Sequence, residues 1–202
     1  MSKKRKTKYT AALIAVSAMF AALIVGGKQA LAVVPNVEVV TLLIALCAYV
    51  WGVGVALPAV NVFIAVEMAI WGVNTWVFTY LIHFNTVAIC YCALGKLSFK
   101  RRGTEVLVAT FAATLLTTLF GVLSSVVDTL IGYTGKGFFV DGHDFFTRFA
   151  VMYAAGWLPP YVFNGVHVLC NLLLFSVAFV PLAALNRKAK LRLAPQEQPP
   201  SE

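Results

Sequence analysis

The feature that most restricts the fold of this chain is a series of long apolar segments between about residue 10 and residue 185. Of the 202 residues, 60% are hydrophobic and only 12% are charged. A water-soluble domain of this length needs more charge to cover its surface, so we expect the segments to lie in a lipid bilayer. The sequence therefore predicts an all-α membrane protein. Since a membrane-spanning helix needs roughly 17–25 mostly apolar residues, we expect six transmembrane helices, at about 10–33, 38–53, 55–72, 77–95, 105–131 and 158–185.

The positions of the cationic residues predict how these helices are oriented. Of the 16 Lys and Arg residues, all but Lys28, Lys136 and Arg148 lie before the first segment, between the fourth and fifth, or after the sixth. Because cytoplasmic loops are enriched in Lys and Arg, both termini are predicted to be cytoplasmic. The net charge of +8 is then explained by topology and anionic lipid, without a nucleic-acid partner.

The chain accordingly divides into three parts. Residues 1–9 form a basic cytoplasmic N-terminus, residues 10–185 the transmembrane domain, and residues 186–202 a tail that is first basic and then disordered, since "APQEQPPSE" is polar and proline-rich. The longest extramembrane segment, 132–157, is expected on the outer side. Within it "HDFFTRFAVMYAA" is predicted to form a short amphipathic helix that lies in the interface or folds back as a lid.

Polar side chains inside the apolar segments are costly, so their depth is informative. Counting 1.5 Å per residue from the ends of the segments places most of them in the outer half, whereas Asn61 is nearly alone in the cytoplasmic half. Glu67 needs a partner or ligand at this depth, and His83 or His167 could supply one. Alternatively, these residues only hydrogen-bond to one another and hold the bundle together. The candidate ligand-binding residues are Asn36, Glu38, Glu67, Tyr80, His83, Trp157, Asn164, His167 and Asn171, with Tyr153 as an alternative lid aromatic to Trp157.

Motifs of enzymes are absent from the sequence. It contains no H-E-x-x-H, no Gly-x-Ser-x-Gly and no glycine-rich phosphate loop. The four cysteines lie inside predicted helices and are interpreted as small packing residues. We therefore predict a protein with no catalytic residues, no metal site and no cofactor of its own, and no ATPase activity.

The first segment carries a narrow stripe of small residues: Ala11, Ala15, Ala18, Ala22 and Gly26 fall on one side of a helix. Small residues allow close approach of another helix in the membrane, where no hydrophobic effect drives association. The stripe is thus a predicted docking surface, either for a helix of the same bundle or for a separate subunit.

Several stretches resemble members of one transporter family. They are the alanine patterns "AALIA" (11–15) and "AMFAA" (18–22), then "VPNVEVVTLLIAL", "VEMAIWGVNTWVFTYLI" and "NGVHVLCNLLLF". Over about residues 10–185 the chain resembles the substrate-binding S component of an energy-coupling factor (ECF) importer of a prokaryotic plasma membrane. The resemblance implies a six-helix bundle that captures a vitamin outside and docks on a transmembrane T component through Ala11, Ala15, Ala18 and Ala22. Two separate ATPase subunits would hydrolyse ATP and drive the S component to topple in the membrane.

The substrate is left open by the sequence. Amides, histidines, a carboxylate and aromatic rings suit a polar heteroaromatic ligand. A cobalamin-type compound, a flavin or a queuosine-type compound all fit, although the Asp-x-Ser-Asp pattern expected of riboflavin-binding members is absent. Two other functions stay open: a stand-alone, proton-coupled secondary transporter that uses Glu67, and a membrane enzyme or signalling scaffold.

Overall fold

The computed structural model describes residues 3–34, 37–131, 145–158 and 162–193, with side chains from residue 10 onward. Regular structure in these ranges is helical throughout. The last helix is continuous from Phe163 to Leu193 but contains one π-helical turn. The elements are α1 (Lys3–Ala30), α2 (Val40–Trp51), α3 (Val53–Trp71), α4 (Thr75–Leu94), α5 (Arg102–Ile131), α6 (Phe145–Ala155), α7 (Phe163–Leu174), the π turn (Phe175–Phe179) and α8 (Val180–Leu193).

Five helices in the described part of the chain are long and apolar enough to cross a membrane. They are Thr10–Ala30, Val53–Trp71, Thr75–Leu94, Arg102–Ile131 and Phe163–Leu193. Their number and composition identify an all-helical, multi-pass membrane protein. Each of the five overlaps one of the segments expected from the sequence.

The remaining expected span, 38–53, is represented by the short helix α2. Its 12 residues extend about 18 Å, which is less than the roughly 30 Å of bilayer hydrocarbon. All of them except Leu43 are buried, because α2 packs against α1, α3, α4 and α8. A single residue, Gly52, separates α2 from α3, and its φ of +89° lies in the left-handed region that favours glycine. The segments expected at about 38–53 and 55–72 are therefore separated by one residue, and Pro58 lies inside α3.

An aromatic cluster forms the middle of the bundle. Phe175 and Phe179 of the π turn are stacked with ring centroids 5.2 Å apart, and Tyr91 of α4 lies within 5.5 Å of both. The Tyr91 hydroxyl donates a 2.6 Å hydrogen bond to the Ala109 carbonyl oxygen of α5. This cluster fixes α4 and α5 against the last helix.

A buried polar cluster lies where α2 ends and α5 begins, close to the basic residues of α8. The Tyr49 hydroxyl donates to Glu105 Oε1 at 2.7 Å, and Arg187 donates to the same oxygen at 3.0 Å. The expectation that Asn61 is nearly alone in this half is therefore wrong. Glu105 lies in the first turn of its helix, where the sequence does not distinguish a buried carboxylate from one at the membrane surface. Asn61 itself donates to Asn85 Oδ1 at 3.1 Å.

Candidate functional site

A cavity of about 530 Å³ opens at the end of the bundle opposite the Tyr49–Glu105–Arg187 cluster. We call it the chamber. The end of α1, the loop before α2, and helices α3, α4, α5 and α7 enclose it. Aromatic rings make up much of the wall, with a few charged and polar side chains among them. The lining residues are Lys28, Gln29, Leu31, Ala32, Val34, Val37, Glu38, Val40, Phe63, Trp71, Trp76, Tyr80, Phe84, Phe120 and His167.

One wall of the chamber contains a buried ion pair between α1 and α3. Glu67 is 0% exposed, and its two carboxylate oxygens accept hydrogen bonds from Lys28 Nζ and, at 2.9 Å, from Gln29 Nε2. The expectation that His83 or His167 would be the partner of Glu67 is therefore wrong. Lys28 lies in the last turn of α1, and its position in the sequence predicts only the orientation of the helix in the membrane.

Lys28 is also surrounded by aromatic rings. Its Nζ lies 4.9 Å from the ring centroid of Tyr80 and 5.8 Å from those of Phe63 and Trp76. These distances are in the range of cation–π attraction, which strengthens when the cation is partly shielded from water. Because the Lys28 side chain is still 26% exposed, its positive charge remains accessible from the chamber.

A second polar group on the chamber wall joins the loop before α2 to α7. The Glu38 carboxylate accepts hydrogen bonds from the Thr41 backbone N–H (3.0 Å) and hydroxyl (2.7 Å), from His167 Nε2 (2.8 Å) and from Asn171 Nδ2 (3.1 Å). Burial by itself would raise the pKa of Glu38, but the bonds from His167 and Thr41 and the attraction of His167 lower it to about 2. Since a carboxylate only accepts, Nε2 of His167 carries the proton in this pair.

Most of the residues expected from their depth lie at or next to the chamber. Glu38, Tyr80 and His167 line it, whereas Glu67 and Asn171 stand behind lining residues to which they are hydrogen-bonded. His83 lies behind Phe120, with the two ring centroids 4.8 Å apart. Asn36 is outside the described residues.

Two expected ligand contacts, Asn164 and Trp157, lie away from the chamber lining. The Asn164 side chain packs against Gly121 of α5 and Gly156, where an added Cβ would come within 2.8 Å and 2.2 Å of it. Trp157 stacks edge-on against Tyr153 at the end of α6. Both side chains lie where the end of α6 and the start of α7 meet α5, and neither lines the chamber.

The expected lid is likewise absent from the described chamber wall. Helix α6 forms where the short amphipathic helix was predicted, but it packs on α5, where the Thr129 hydroxyl lies 3.7 Å from the Met152 sulfur. Described residues 145–158 contribute nothing to the lining, and residues 132–144 of the loop are outside the described part. Described residues of the loop before α2 line the chamber instead.

Several lining residues were missed from the sequence, among them Lys28, Gln29, Phe63, Trp76 and Phe120. The signal for Lys28 was available, because a lysine at the depth of Glu67 is the obvious counter-charge for a carboxylate in the membrane. The aromatic residues gave no such signal. Phenylalanine and tryptophan are common on lipid-facing and core surfaces alike, so only their positions around the bundle mark them.

The small-residue stripe of α1 faces away from the bundle. Ala11, Ala15, Ala18, Ala22 and Gly26 are all exposed, whereas the opposite face of α1 is buried. Part of the stripe forms one wall of an apolar groove of about 900 Å³ between α1 and α3. In the described part of the chain, the bundle's own helices thus leave the stripe uncovered.

Metal ligands are not clustered in the part of the chain that the structure describes, where no group of three His, Cys, Asp or Glu side chains could hold an ion.

Comparisons with protein-family models, curated proteins and solved structures find no match. The geometry and chemistry of the chamber and of the stripe therefore carry the functional argument.

Proposed function

We propose that this protein is the substrate-capture subunit of an ECF-type importer for a vitamin or vitamin-like compound, in the plasma membrane of a prokaryote. The chamber is the observation that carries the proposal. A volume of about 530 Å³ is typical of sites for small molecules, which are mostly apolar with a few placed polar groups. Here aromatic rings supply the apolar wall, and Lys28, Glu38 and His167 supply the polar groups.

The proposed orientation puts the chamber on the outer side. With both termini cytoplasmic and α2 counted as a short sixth member of the bundle, the basic residues of α8 lie inside. The chamber then opens towards the medium from which the compound is taken up. A cobalamin-type, flavin or queuosine-type ligand agrees with a wall of stacked rings and hydrogen-bonding edges.

The exposed stripe of α1 supports a separate docking partner. A lipid-facing helix has no need to exclude large side chains, whereas a surface that meets another helix closely does. We assign Ala11, Ala15, Ala18 and Ala22 to contact with a T component. Two partner ATPases would supply the energy, since the sequence has no phosphate-binding loop.

The first experiment measures capture and assembly together. The protein is expressed with the candidate T component and ATPases of its host, purified, and denatured, and the released small molecule is identified by mass spectrometry. We expect about one compound per chain and co-purification of the other subunits. Release of no compound would refute substrate capture.

Ala22→Leu tests the stripe against a matched substitution, Ala184→Leu, of an exposed alanine on α8. We expect Ala22→Leu to abolish uptake and co-purification while the affinity for the released compound is unchanged, and Ala184→Leu to change neither. If both variants transport normally, the stripe does not dock.

The alternative is a stand-alone, proton-coupled transporter that uses Glu67, and the same cells distinguish it. Its uptake would stop when the proton gradient is collapsed and would persist without the ATPases. The ECF-type importer gives the opposite result, because ATP hydrolysis drives it.

A further inference from the structure

Phe120 separates the chamber from a second layer of polar groups. Its ring lines the chamber, and its centroid lies 4.8 Å from that of His83 and 5.4 Å from that of His167. Both histidine rings meet it edge-on, at interplanar angles of 66° and 78°. His167 lies on the chamber side of this ring, whereas His83 is absent from the chamber lining.

The second layer contains polar atoms that are buried without a hydrogen bond in the described structure. They are His83 Nε2 and Asn171 Oδ1, two of the five such side-chain atoms in the described part of the chain. His83 is only 4% exposed and Asn171 0%. A buried polar group without a partner costs about 1–3 kcal/mol, so two of them next to the chamber point to a ligand that supplies the missing hydrogen bonds.

The chemistry of Asn171 defines what that partner offers. Its Nδ2 donates to Glu38 Oε1 at 3.1 Å and to Thr117 Oγ1 at 3.1 Å. Because the Glu38 carboxylate can only accept, the amide cannot be turned the other way round. Both N–H groups are thus used, and the free atom, Oδ1, is an acceptor.

The free acceptor lies one helical turn deeper than the lining residues. Asn171 follows His167 by four residues on α7, and its partner Thr117 precedes Phe120 by three residues on α5. A ligand in the chamber that displaced the Phe120 ring would reach this level.

We propose that Phe120 is a movable floor and that the ligand carries an uncharged N–H or O–H group, such as a primary amide or an amino-substituted heterocycle, which donates to Asn171 Oδ1 and hydrogen-bonds to His83 Nε2. The inference rests on the proposed function and specifies its ligand. A carboxylate or phosphate is unsuited to this end of the ligand, because Asn171 offers only an acceptor and the Glu38 carboxylate lies beside it.

The test uses the purified full-length protein and a defined mixture of water-soluble vitamins and nucleobases as the probe. The retained compound is identified by mass spectrometry, and its affinity is measured for wild type and for His83→Phe, which keeps an aromatic ring but removes both nitrogens. We expect a retained compound with an N–H or O–H donor and an affinity lowered about tenfold or more in His83→Phe.

The melting temperature without ligand distinguishes a binding role of His83 from a structural one. Since the substitution removes an unpartnered buried atom, we expect His83→Phe to melt at the same temperature as wild type or higher. A lower melting temperature together with weaker binding would mean that His83 supports the fold, and would overturn the inference. Unchanged affinity, or a compound without a donor, would also overturn it while leaving the proposed function intact.

Phe120→Ala tests the floor itself. Removing the ring that must move aside should speed association of the retained compound, and an unchanged association rate would overturn the gating role. Retention of no compound by the wild-type protein would refute the proposed function, and this inference with it.

Discussion

Replacing Lys28 with methionine is expected to destabilise the protein far more than replacing Glu67 with glutamine. In Lys28→Met the Glu67 carboxylate, 0% exposed, is left with only Gln29 as a partner. An uncompensated buried charge of this kind costs about 3–5 kcal/mol. In Glu67→Gln the Lys28 side chain, already 26% exposed, can turn into the chamber and be hydrated, so the loss is about 1 kcal/mol.

Thermal unfolding in detergent measures this difference. For a chain of about 200 residues, 1 kcal/mol shifts the melting temperature by roughly 2–4 °C, so Lys28→Met should lower it by roughly 6–20 °C. The double variant Lys28→Met/Glu67→Gln should be more stable than Lys28→Met alone, because no charge is left unpaired. Equal losses in the two single variants, or additive losses in the double variant, would refute the asymmetry. Lys96→Met, at an exposed lysine after α4, serves as the control.

Three further predictions concern other parts of the bundle. Glu38→Gln should lower the free energy of unfolding at neutral pH by about 3 kcal/mol, because the pKa of Glu38 in the folded protein is about 2, below the ordinary 4.5. The difference from wild type should shrink as the pH falls from about 4.5 to 2, and a difference that stays constant with pH would contradict this prediction. Gly95→Ala should destabilise the protein by about 1–3 kcal/mol, since the new Cβ would lie 2.2 Å from the Tyr49 carbonyl oxygen. Gly54→Ala, which has open space around it, should leave the melting temperature unchanged or raise it in the same thermal unfolding experiment. Tyr49→Phe should cost about 1–3 kcal/mol, measured by thermal unfolding, because Glu105 loses its 2.7 Å hydrogen bond; an unchanged melting temperature would show that Arg187 alone satisfies the carboxylate.

The apolar segments predicted the long helices because length and hydropathy are set by the bilayer itself. Both quantities are insensitive to what surrounds a helix. Helix α2 is as apolar as its neighbours, but its surroundings are protein rather than lipid, so it needs no more than 12 residues. Sequence alone does not separate these two environments.

The sequence predicted how far along the helices the candidate site lies, but not which residues at that level face it. Counting residues placed Glu38, Tyr80 and His167 at the level of the chamber, where the structure has them. The same counting included Asn164, and Trp157 was expected as a lid aromatic, but neither residue lines the chamber. Position around the bundle depends on which helices are neighbours, and this information lies in tertiary packing rather than in any one segment.

Helix α1 contributes both to the chamber and to the small-residue stripe. Its last turn supplies Lys28 and Gln29 to the chamber, and its lipid-facing side carries Ala18, Ala22 and Gly26 only a few residues earlier. Because a helix rotates as a rigid rod, a small turn of α1 that follows any change at Lys28 also re-aims the alanines. In the proposed importer, an occupied chamber and an empty one would then present different contours to the T component, with no relay through the rest of the bundle.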